Sequence, residues 1–277
     1  MDTQFTQTYG QTKVYSLDRL CKRRGDKIIY VNGDSWSQRS NIDPDYSWPC
    51  LLQEKVNCPV LNQSAGCGSN SRMLSNLYRL YQSGAKPKIV LIGLTTYTRW
   101  HLPARLGSSW SIGTTVINDR FAKPNESMLP FYVNDVLDDL EYVYQFYNQI
   151  WQMHEIAKNY LQCPIIFFVG WTAESPTILD IHHALFKGNL EDWVSSKVED
   201  TQDYAVQDYI NAFQFFKTKV NDWHLVLDTW SDLVYNNIDD DNGLHPGHPN
   251  PQGHKIICQN VLDKIKEKFP TIYKELA

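Results

Sequence analysis

No run of about eighteen apolar residues occurs anywhere in this chain, so nothing in it is expected to span a membrane. The first residues, Met1 to Gln11, are polar and lack the apolar core of a secretory signal, which points to a cytoplasmic setting. Positive charge is short as well. Lys and Arg number 26 against 31 Asp and Glu, a net charge of −5, so nothing here is suited to nucleic acid. The six cysteines (Cys21, Cys50, Cys58, Cys67, Cys163 and Cys258) form no CxxC pair and no zinc-like spacing with histidine. In a chain this long they are most simply reduced, buried thiols. Internal repeats, low-complexity tracts and linkers are missing too, which leaves one domain over residues 1–277, with 1–25 as an N-terminal arm.

What is present is a series of short apolar runs alternating with helical spacing. The first, Lys27–Asn32, ends abruptly in Gly33-Asp34-Ser35. Further strands are expected at 59–62, 88–93, 164–169 and 224–227. Helical patterns fall at 48–56, 71–82, 133–161, 204–220 and 254–269. Five such alternations predict an α/β fold: a three-layer α/β/α sandwich on a five-stranded parallel sheet, flavodoxin-like in order. Two irregular stretches, 98–132 and 171–200, are read as long insertions over the active edge. They are rich in aromatic residues, which suit stacking on sugars and also pack loops onto a core.

In a parallel sheet the carboxyl ends of all strands meet along one edge, where α/β proteins bind ligands. Ser35 on a strand-to-helix turn would expose its hydroxyl there, although Gly-Asp-Ser is also an ordinary turn tripeptide. The loop Asn62–Asn70 brings glycines to the same edge, Gly93-Leu94-Thr95 brings a hydroxyl, and 239–254 brings Asp239, Asp240, Asp241, His245, His248 and His254. A serine nucleophile needs a base, and that base needs a carboxylate to hold its tautomer. His254 is read as a packing or capping residue of the last helix. His182-His183 and the run of three aspartates are read as surface features rather than metal ligands, and no metal is expected.

These blocks in this order (Gly-Asp-Ser, a glycine loop, Gly-x-Thr and His-Pro-Asn-x-x-Gly-His) resemble the SGNH, or GDSL-type, hydrolase superfamily. The resemblance extends over about Lys27 to Ile257, and it is also similar to uncharacterised SGNH-like proteins of tailed phages, which would allow a virion-associated location. It implies an esterase acting through an acyl-serine intermediate, with no cofactor. Ser35 would be the nucleophile, and its own N–H, the Gly68 N–H and Thr95 would form the oxyanion hole. The family usually has asparagine where Thr95 stands. His248 is favoured as base over His245, since each fits part of the motif, and Asp241 is favoured as the carboxylate over Asp239 and Asp240. Asp34 and Asn70 are expected to face substrate. Arg99 and Trp100 either line the crevice or anchor the insertion. The expected substrate is an acylated carbohydrate or another small ester. The rival reading is a catalytically decayed SGNH scaffold that binds a glycan or a partner protein.

Overall fold

The structure, a computed structural model, describes residues 27–38, 47–65, 68–95, 100–103, 109–112, 139–170, 203–238 and 247–277. Strand β1 (Lys27–Asn32) leads to α1 (Trp48–Lys55), β2 (Val60–Asn62), α2 (Asn70–Gln82) and β3 (Lys86–Leu94). After β4 (Trp100–Pro103) and β5 (Ser109–Ile112) comes α3 (Asp139–Glu155), which runs on into a π-helical turn at Ile156–Leu161. The remaining elements are β6 (Ile165–Val169), α4 (Asp203–Lys219), β7 (Leu225–Val226), α5 (Trp230–Leu233), α6 (Pro251–Lys268) and α7 (Pro270–Leu276).

The main sheet has the order β2-β1-β3-β6-β7, and every pair in it is parallel. This is the expected flavodoxin-like, three-layer α/β/α fold. Alternation along the strands builds its two cores. Ile28, Tyr30, Val90, Ile92, Ile165 and Phe167 point to the face covered by α2, α3 and α4. Ile29, Val31, Ile89, Leu91, Ile166 and Phe168 point to the face covered by α1, α5, α6 and α7. Each such side chain, fully buried, contributes about 1.5–3 kcal/mol relative to exposure. Strands buried on both faces have no polar alternation, which is why their sequences are continuous apolar runs.

Three expectations are revised. The stretch after Thr95 is not wholly irregular, because β4 and β5 pair as an antiparallel ribbon with Trp100 opposite Ile112. Each strand of that ribbon is four residues long, too short to show a period. The last helix begins at Pro251 rather than His254, because proline's fixed φ suits a first helical position and Asn250 caps it. The long helix changes to π geometry at Ile156 and ends where Gln162 adopts a φ of 54°. The arm 1–25 and the insertion 171–200 lie outside the described residues, as does most of 98–132.

The C-terminal residues close the second core. Leu276 is buried, and its carbonyl accepts the Asn57 N–H at 2.8 Å. Asn57 Nδ2 donates to the Ala277 carbonyl, and Lys88 Nζ donates to the Glu275 carbonyl at 3.2 Å.

Candidate active site

The Ser35 turn follows from packing at the end of β1. A side chain at Gly33 would lie 2.5 Å from Ser37 Oγ and 3.2 Å from the Gly93 carbonyl, so only glycine fits. The Asp34 carbonyl accepts from the Ser37 N–H (3.1 Å) and the Gln38 N–H (2.9 Å), and Asp34 Oδ1 accepts the Trp36 N–H at 2.9 Å. That side-chain turn, common for aspartate, tightens the chain around Ser35. Asp34, Trp36 and Ser37 are buried, whereas Ser35 is half-buried.

His248 comes to the same edge on the segment between α5 and α6. Gly247 takes a φ of +76°, a turn that glycine makes without strain. Ile238 and Pro249 then form an isolated bridge, and the Asn250 N–H donates to the Asn237 carbonyl at 2.8 Å. Asn250 Oδ1 accepts the Gly253 N–H at 2.9 Å, capping α6. The result places His248 Nε2 2.8 Å from Ser35 Oγ. With the ring proton on Nδ1, Nε2 can accept the Ser35 O–H, which is the contact a general base requires.

The two expected helpers of the oxyanion are turned elsewhere. The Gly68 N–H donates to the Ala65 carbonyl at 2.9 Å, closing its own loop. Thr95 Oγ1 donates to Asp34 Oδ2 at 3.1 Å, and its N–H donates to Asn70 Oδ1 at 3.1 Å. Among the described residues nothing accepts from the Ser35 N–H. Asp34 and Asn70 do not present themselves to substrate either. Asp34 is 1% and Asn70 2% exposed, and Asn70 Nδ2 donates to the Thr95 carbonyl at 3.1 Å. Their polar atoms are drawn inward because each meets a backbone or hydroxyl partner at the buried sheet edge.

Asp241 and His245 lie outside the described residues, as do Asp239, Asp240, Arg99, His182 and His183; of Trp100 only the backbone, on β4, is described. His254 sits in the first turns of α6, 3% exposed, and its Nδ1 has no partner. Burial, with a smaller contribution from His248, pushes its pKa down to about 4. It is a packing residue, as its place ahead of an apolar helix face implied.

Sequence reasoning missed a polar chain beneath the turn. Asn32 Oδ1 accepts the Gly33 N–H at 2.9 Å, and Asn32 Nδ2 donates to the Tyr30 hydroxyl at 3.0 Å. That hydroxyl donates to Gln63 Oε1 at 2.9 Å, and burial holds its pKa far above the ordinary tyrosine value. The one available signal was an asparagine at the end of an otherwise apolar strand. Of the cysteines, Cys50, Cys58, Cys163 and Cys258 are buried. Burial raises Cys163 to about 12 and Cys258 to about 11, so neither is a thiolate near neutral pH. Among the described residues no three His, Cys, Asp or Glu side chains converge as a metal site, and no helix is long and apolar enough to cross a membrane.

Below that edge Trp230 fills the floor. Its ring stacks on Phe168 (5.4 Å, 23°), meets Trp48 edge-on (5.4 Å, 63°), and touches the space where side chains at Gly93 and Gly170 would stand.

No family model matches the chain, and no curated protein matches it. Solved structures do overlap with it. TesA is 15% identical with a TM-score of 0.46, over 87% of this chain and 99% of that one. The psychrotrophic esterase EstA from Pseudoalteromonas sp. is 15% identical with a TM-score of 0.45, over 87% and 98%. A member of the lipolytic G-D-S-L family from Veillonella parvula is 14% identical with a TM-score of 0.41, over 88% and 98%. At these values the likeness is one of fold and assigns no activity to this chain, and the comparisons lend no support to a likeness with tailed-phage proteins.

Proposed function

We propose that the protein is a serine ester hydrolase that deacylates an acylated carbohydrate or another small ester. One observation carries the reading: Ser35 Oγ and His248 Nε2 stand 2.8 Å apart at the carboxyl edge of the parallel sheet. In the reaction Ser35 Oγ attacks the ester carbonyl while His248 Nε2 takes its proton. The Ser35 N–H donates to the oxyanion. His248 then returns the proton to the departing alcohol, leaving an acyl-serine. Water, deprotonated by His248, attacks that acyl group, and the acid leaves as Ser35 regains its proton. The carboxylate that orients His248 is sought in Asp241 and its neighbours Asp239 and Asp240. No metal or organic cofactor takes part.

A second reading, a catalytically inert scaffold that binds a glycan or a protein, is favoured by the Gly68 N–H and the Thr95 hydroxyl being engaged away from Ser35. Losing one oxyanion donor typically costs about 10²–10³-fold in rate. Hydrolysis of p-nitrophenyl acetate by the wild type, Ser35→Ala, His248→Ala and His245→Ala separates the two. Turnover that disappears in Ser35→Ala and in His248→Ala supports the hydrolase. Equal rates in wild type and Ser35→Ala sink it. Loss in His245→Ala rather than His248→Ala would move the base to His245.

A further inference from the structure

Two buried side chains bracket the nucleophile without facing the crevice. Thr95 is 0% exposed at the end of β3, and its hydroxyl donates to Asp34 Oδ2 at 3.1 Å. The other oxygen of that carboxylate, Oδ1, holds the Trp36 N–H at 2.9 Å. Asp34 thus ties the residue after Ser35 to the neighbouring strand through one charged group. The hydroxyl–carboxylate bond is charge-assisted, and its buried setting strengthens it. Asn70 fixes the far end. Its amide accepts the Thr95 N–H and donates to the Thr95 carbonyl, both at 3.1 Å, as a partner strand would do beyond the end of the sheet. The three residues come from the ends of β1 and β3 and the start of α2, so together they join the elements that frame the site.

We propose that Asp34 and Thr95 are a positioning pair for Ser35, set by Asn70, and are neither oxyanion donors nor substrate ligands. The proposal rests on the reading of Ser35 and His248 as the catalytic pair. If the Asp34–Thr95 bond is lost, the turn can shift against β3 while His248, held on another loop, stays put. A misplacement of about 1 Å costs on the order of 10²-fold in rate, because the reacting groups no longer start in line.

The test compares Thr95→Val, Thr95→Ser, Asp34→Asn and the Thr95→Val/Asp34→Asn double variant with wild type. The readouts are kcat and KM on p-nitrophenyl acetate, the rate of Ser35 labelling by a fluorophosphonate, and thermal melts. Asp34→Asn keeps an acceptor for Trp36 but turns an amide donor toward Thr95, whose hydroxyl then has to accept instead of donate. Positioning predicts kcat and labelling lower by about 10- to 100-fold in Thr95→Val and in Asp34→Asn, with KM within about threefold. Thr95→Ser, which restores the hydroxyl, stays near wild type, and the double variant is no worse than the weaker single one. Wild-type kcat in Thr95→Val overturns the proposal. So does an active Asp34→Asn beside an inactive Thr95→Val, since that pattern marks the hydroxyl as a direct oxyanion donor. If Thr95→Val does not melt cooperatively, Asp34→Asn decides alone: reduced kcat supports positioning, and unchanged kcat overturns it. A wild type that neither turns over nor labels at Ser35 overturns the hydrolase reading and this proposal together, whereas an active wild type with indifferent variants overturns this proposal only.

Discussion

His248 Nε2 and Ser35 Oγ meet at 2.8 Å although 213 residues separate them along the chain. A contact of that span survives only if both loops are held independently: the Ser35 turn by β1 and Asp34, the His248 segment by Asn237 and the cap of α6.

If these two side chains act as a unit, their removal is not additive. Ser35→Ala and His248→Ala should each lower kcat by about 10³-fold or more, and the double variant should fall no further. Single-turnover and steady-state rates on an activated ester measure this. A double variant whose loss equals the product of the two single losses would rule out a coupled pair.

The cap of α6 bears directly on His248. Asn250→Ala removes the acceptor for the Gly253 N–H, at a cost of about 1 kcal/mol in stability, while Asn250→Asp keeps it. We expect Asn250→Ala also to lower kcat more than KM changes, because His248 lies two residues away. Denaturant titration beside kinetics separates the two effects, and an unaltered midpoint in Asn250→Ala would refute the capping role.

Glycine at position 33 is required by contact. Gly33→Ala sets a methyl 2.8 Å from Ser37 Cβ as well as 2.5 Å from its Oγ. Overpacking of this kind costs about 1–3 kcal/mol. Ser37→Gly in the same chain should recover part of that loss, and a thermal melt of the two variants reads it. Recovery absent from the double variant would place the strain elsewhere, at the Gly93 carbonyl.

His254 makes the fold acid-sensitive in a defined window. Burial lowers its pKa from about 6.5 to about 4, so below pH 6.5 the unfolded chain binds a proton that the folded one refuses. Stability therefore falls as pH drops from about 6.5 to about 4, by on the order of 3 kcal/mol in full, and this contribution levels off below that. His254→Leu, similar in volume, should flatten that part of the curve. Melting temperatures of both proteins from pH 7.5 to 4.5 give the comparison, and parallel curves would show that other groups set the acid limb.

The sheet was legible in the sequence because strands buried on both faces are local apolar runs, and Lys27–Asn32 declares itself without reference to anything distant. Ser35 and His248 were legible for a related reason: turn residues after a strand and a histidine-rich loop before a helix are local patterns that the topology brings to one edge. Asp34, Asn70 and Thr95 were placed at that edge correctly, but the direction of their side chains was not foreseen. Whether a polar atom faces the crevice or the interior depends on partners up to 61 residues away, as Thr95 and Asp34 show. The β4–β5 ribbon was missed because four residues per strand carry too little pattern. The start of α6 was misjudged because a histidine ahead of an apolar stripe outweighed Asn250-Pro251, a cap and a first-turn proline.

The second core and His248 share one stretch of chain, with consequences for synthesis. Trp230, Ile257, Val261, Ile265 and Leu276 all pack on the face that β1 and β3 present early. Contacts of such separation form late, after long loops have closed. On the ribosome, then, Ser35 emerges long before His248, and the face that will carry α6 stays uncovered in the meantime. On the proposed reading, a growing chain would hold Ser35 without its base until the residues that carry His248 had been made.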